Sequence, residues 1–86
     1  MNSIQTFSYA DRMVIAMKLI VMDMDQIREN KEDPNGAMAF FWLGQALAKV
    51  YAVFRGLTKD ELARVKPVDM IQWVKDQKID KNLLVQ

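Results

Sequence analysis

From Tyr9 to about Lys31 the chain runs without glycine or proline, and Met13, Met17, Ile20, Met24 and Ile27 recur at spacings of four, three, four and three. That alternation keeps apolar side chains on one side of a 3.6-residue helix. Val14 and Val21 widen the stripe. Ser8 stands where an N-cap belongs, and Asp11 puts a negative charge at the positive end of the helix dipole. One long helix is therefore expected, after a loose lead-in over residues 1–7.

Residues 29–36 read Glu-Asn-Lys-Glu-Asp-Pro-Asn-Gly, the clearest break in the chain. Pro34 pushes Asp33 away from helical backbone, and Asn35-Gly36 is a turn dipeptide. Beyond it, Phe40, Leu43, Leu47, Val50 and Phe54 recur at spacings of three, four, three and four, so Ala37 to Arg55 reads as a second helix. The two stripes match in length and period, and a short loop makes the helices antiparallel neighbours. Gly56 suits the left-handed residue that ends a helix.

Leu57-Thr58-Lys59-Asp60-Glu61-Leu62 is the strongest local signal. Thr58 as N-cap and Glu61 at the third helical position form a capping box, with Leu57 stapled on Leu62. A short third helix should run from about Lys59 to Val65. A fourth should begin near Pro67 or Asp69 and reach about Lys78, with Met70, Ile71, Trp73 and Val74 inward. Asp80 to Gln86 reads as a tail tipped by Leu83, Leu84 and Val85. The expected fold is all-α: one small bundle over residues 1–86, an antiparallel hairpin of two long helices closed by two short C-terminal ones.

Composition sharpens this picture. The chain has 86 residues, enough for one domain, and 51% of them are apolar. A chain of this size buries only about 60–65% of its unfolded surface, so surplus apolar residues point to a shared interface. The longest apolar stretch, Ala37 to Phe54, holds Gln45 and Lys49, whereas a membrane span needs about 20 predominantly apolar residues. No membrane is expected as partner. The first apolar stretch is preceded by Asp11 and Arg12 rather than a basic region, so a secretory leader is not expected.

Twelve basic and eleven acidic residues leave a net charge of +1, too balanced for an electrostatic nucleic-acid footprint. With no cysteine there is no disulfide framework and no thiolate metal site. A cytoplasmic setting is expected.

Catalysis needs a nucleophile, a tunable acid or base, or a metal. Histidine and cysteine are absent, and the serines and threonines are Ser3, Thr6, Ser8 and Thr58. Ser8 and Thr58 are used as caps, and Ser3 and Thr6 sit in the lead-in. Asp23 and Asp25 diverge by about 200° on a helix. Asp23 does not open a calcium loop either, because Arg28 and Pro34 stand where a glycine and an acid belong. No enzyme, cofactor or metal is expected. The last two helices have roughly the proportions of a helix-turn-helix, with Gln72, Lys75, Gln77 and Lys78 able to reach a groove. Against that, no glycine marks the turn, and Asp69 and Asp76 would face phosphates.

What remains is apolar surface. On the first helix Ile15, Leu19 and Met22 project opposite the main stripe, bounded by Asp11, Lys18 and Asp25. On the second, Phe41, Trp42 and Val53 lie off the main stripe, and Gly44, Ala48 and Ala52 form a small-residue ladder that permits close helix approach. Of the seven methionines, Met13, Met17, Met24 and Met38 are expected in or near the hairpin contact, and Met22 outside the core. The sequence therefore suggests a small protein-binding regulator, an adaptor or inhibitor, whose contact residues are Ile15, Leu19, Met22, Phe41 and Trp42, most simply as a homodimer. The alternative is a DNA-binding transcriptional regulator using the C-terminal pair.

Overall fold

A computed structural model describes residues 7–32 and 34–78 of the chain. The lead-in before Phe7, Asp33, and the tail with Leu83, Leu84 and Val85 lie outside the described residues. The order is α1 (Tyr9–Glu29), α2 (Gly36–Arg55), α3 (Lys59–Ala63) and α4 (Pro67–Asp76). The expected all-α hairpin closed by two short helices is the observed fold.

Each boundary has a local cause. The Ser8 hydroxyl accepts from Asp11 N–H at 3.1 Å and starts α1. At the end of α2, Gly56 takes a left-handed φ of 66°, which lets Leu57 N–H return to the Ala52 carbonyl at 2.9 Å. This closes the last turn in the manner of a glycine cap. Thr58 Oγ1 accepts from Glu61 N–H at 3.1 Å, and Glu61 Oε1 accepts from Thr58 N–H at 2.9 Å, so the capping box is present. The third helix stops at Ala63, two residues short of expectation, because Val65 N–H turns back to the Leu62 carbonyl. Pro67 opens α4, where its missing N–H costs nothing.

The core joins α1, α2 and α4. Val14, Met17, Val21 and Met24 pack against Leu47 and Tyr51 and against Met70 and Val74. Both long-helix stripes are thus rotated from their expected centres. Met13, Ile20 and Ile27 are half-buried, as are Phe40, Leu43, Val50 and Phe54. The cause is α4, which lies on the side of the hairpin carrying Val14, Val21 and Tyr51 and draws the centre of burial toward itself. Trp73 meets Tyr51 edge-on with centroids 5.3 Å apart. The Arg55 guanidinium sits over the Trp73 ring at 4.9 Å and donates to the Tyr51 hydroxyl at 3.0 Å.

Lys18, expected as a polar border, is buried, and Ile15, expected outward, is only 1% exposed. Lys18 Nζ donates to the Lys75 carbonyl at 3.3 Å, in the last turn of α4. There, carbonyls lack helical partners and the dipole favours a cation. The lysine stem lies along apolar surface while its head caps a helix. Ile15 stands outside the central cluster. Of the four methionines expected at the hairpin contact, Met38 is instead 68% exposed.

Candidate functional site

The five proposed contact residues divide into two places. Met17, Val21 and Met24 turn α1 toward α2 and α4, so Leu19 and Met22 fall on the far edge of the hairpin. Both are exposed, and Ile15 is not. The continuous line Ile15-Leu19-Met22 is therefore broken at its first member. Leu47 turns α2 toward the core, so Trp42 falls on the outer side of α2. Phe41 and Trp42 do belong together: their rings meet edge-on at 5.3 Å and 78°.

Around that aromatic pair α2 is apolar on its outer side. Trp42 is 63% exposed, Phe41 55%, Met38 68% and Val53 76%. Met38, expected in or near the hairpin contact, adjoins the pair one turn earlier, and Val53 stands three turns beyond it, past Gln45 and Lys49. Gln45 and Lys49 are the polar residues interleaved among them, both exposed. Among the described residues, α2 is the helix long and apolar enough to cross a membrane by length and composition. It nevertheless buries Leu47 and Tyr51 in the core.

Next to Phe41, a cleft of about 460 Å³ opens between α2, α3 and α4. Its walls include Phe41, Gly44, Ala48, Leu62, Val65 and Ile71, and Gln45 is the polar side chain at its edge. The small-residue ladder thus splits. Gly44 and Ala48 face this cleft, and a Cβ on Gly44 would meet Met24 Cε at an ordinary 3.5 Å.

Three of the four side chains offered for groove reading, Gln72, Lys75 and Gln77, are engaged within the chain, and Lys78 is exposed just beyond α4. Lys75 Nζ pairs with Asp25 Oδ2 at 3.0 Å. Gln72 donates to Asp76 Oδ1 at 2.8 Å, and Gln77 donates to the Trp73 carbonyl at 2.9 Å. Among the described residues, no three acidic side chains converge as a metal cage. No protein-family model matches the chain, and neither a curated protein nor a solved structure matches it.

Proposed function

We propose that the chain is a small, non-enzymatic protein-binding regulator that works through the outer face of α2, as an adaptor or inhibitor of a larger protein or by pairing with a second copy of itself. The observation that carries this reading is the exposure of Met38, Phe41, Trp42 and Val53 along one helix. A large apolar side chain left in water forgoes about 1.5–3 kcal/mol of burial. Contiguous apolar patches beyond a few hundred Å² mark interaction sites, and aromatic anchors supply much of an interface's energy. Lys49 and Gln45 in the middle of the face, and the packing of Leu47 and Tyr51 on the other side, favour a protein partner over a lipid one. The DNA-binding alternative draws less support, because Asp25 and Asp76 stand beside Lys75 and Gln72 and would face phosphates with them.

The test compares the full chain with Trp42→Glu and Leu19→Glu, each first checked for unchanged helical content by circular dichroism. Proteins retained from an extract of the source cell are identified by mass spectrometry and then titrated singly. The expected result is an identified partner bound at least about tenfold more weakly by Trp42→Glu and equally by Leu19→Glu. Equal binding by all three chains refutes the reading.

A further inference from the structure

We infer that the partner seated on the outer face of α2 is a second copy of this chain, its α2 running antiparallel to the first. This rests on the reading of α2 as the contact surface and names its occupant.

The spacing comes first. Met38, Trp42, Gln45, Lys49 and Ala52 follow one another at four, three, four and three residues, the alternation of a helix-pairing seam. The first four are exposed and Ala52 is half-buried. The seam is asymmetric: its bulk lies in the N-terminal half, with Met38 and Trp42, and its small residue in the C-terminal half. Antiparallel pairing places Trp42 of one copy over Ala52 of the other, twice, so each knob meets a shallow position. Parallel pairing would set Trp42 on Trp42 and leave Ala52 facing Ala52 across a gap.

Charge selects the same orientation. In a parallel pair Lys49 would face its own copy, like charge on like. In the antiparallel register that sets Trp42 over Ala52, Gln45 of one copy lies opposite Lys49 of the other. The Gln45 side-chain carbonyl is an acceptor and the lysine ammonium a donor, so each Lys49 can donate to Gln45 of the other copy across the two-fold axis. A lone polar residue in a seam characteristically fixes register in this way.

The exposed apolar area is of the order that a small interface buries. α2 has 20 residues and is about 30 Å long. Met38, Phe41, Trp42 and Val53 together expose on the order of 500 Å², judged from the areas of large side chains. The mouth of the adjoining cleft adds to this, toward the roughly 800 Å² per partner of a standard interface. The contacts are self-complementary, as a closed two-fold pair requires.

The chain has no cysteine, so single thiols report register cleanly. Gln45→Cys, Lys49→Cys and Leu19→Cys chains are oxidised singly and as mixed pairs, then separated without reductant. Wild-type mass is measured by light scattering. The expected results are twice the 10.0 kDa chain mass, a Gln45→Cys/Lys49→Cys mixed disulfide several-fold above either homodisulfide, and no cross-link from Leu19→Cys. Trp42→Glu should keep its helical content and lose the dimer mass. A wild-type monomer at every soluble concentration overturns the inference, and so do homodisulfides that equal or exceed the mixed product. A monomer that still binds another identified protein through Trp42 overturns the second copy alone. A monomer whose Trp42→Glu variant binds every partner as the wild type does overturns the protein-binding reading as well.

Discussion

Thr58→Ala tests the most local piece of the fold. α3 has five residues, far too few to hold itself together without help. Its first turn is tied by two reciprocal hydrogen bonds between Thr58 and Glu61, at 3.1 and 2.9 Å. Alanine removes the hydroxyl that accepts from Glu61 N–H, an orphan donor of the first turn, and such a loss costs about 0.5–2 kcal/mol. Leu62 and Val65 pack against the core, so the loss should register in global unfolding rather than as local fraying alone. In a domain of this size each kcal/mol moves the melting temperature by about 4–8 °C. The measurement is urea unfolding followed by far-UV circular dichroism, with Thr58→Ser as the rescue. The midpoint should fall for alanine, recover for serine, and keep its slope.

The other half of the box adds a pH signature. The Thr58 backbone N–H, and then its hydroxyl, hold the Glu61 carboxyl below its ordinary value of 4.5. A carboxyl whose folded pKa is depressed contributes stability that is fully present above the unfolded value and lost as pH falls through the folded one. The gap in stability between wild type and Glu61→Gln should therefore be constant above about pH 4.5 and narrow below it. Identical midpoints for Thr58→Ala and wild type, or a gap that widens in acid, would refute the reasoning.

Four further outcomes follow from burial, charge and composition. Ile15→Ala should destabilise by about 2–5 kcal/mol, since Ile15 is 1% exposed and loses a packed aliphatic side chain. Leu19→Ala, at 39% exposure, should cost less, about 1 kcal/mol on the same urea assay. Lys75→Ala breaks a half-exposed pair with Asp25 and should cost under about 1 kcal/mol, shrinking as salt is added; a salt-independent loss of several kcal/mol would contradict it. Calorimetric titration with zinc, nickel and manganese should show no stoichiometric site, given a chain without histidine or cysteine.

The elements themselves were legible because their signals are local. Ser8, Thr58 with Glu61, Gly56 and Pro67 each act within a turn of where they stand, and all four do what their types imply. The centre of burial was not legible. Helical period locates an apolar arc on α1 from Met13 round to Val21, but which part of that arc is deepest depends on where α4 lands. Because α4 sits on the Val14 and Tyr51 side, Tyr51 becomes core and Val50 an edge residue, an exchange invisible to spacing alone. Lys18 misled for a related reason. A lysine reads as a surface boundary until a helix C-terminus arrives to receive its ammonium, and the donor and acceptor are 57 residues apart in the chain.

The two outer edges of the hairpin weigh differently as binding surfaces, and the reason is continuity rather than residue count. On the far edge of α1, the exposed Leu19 and Met22 are interspersed with exposed Ala16, Asp23 and Gln26. Isolated apolar side chains of that kind are ordinary on a protein surface. On the far edge of α2, Met38, Phe41, Trp42 and Val53 are interrupted in charge by Lys49 alone, and its neighbour one turn earlier is the neutral Gln45. A surface of that composition keeps a wide strip of water in contact with hydrocarbon, a cost that only burial against another surface removes. The single charge then discriminates among partners, because any occupant must bring an acceptor to Lys49 or leave an ammonium desolvated. Gln45 of a second copy meets that condition.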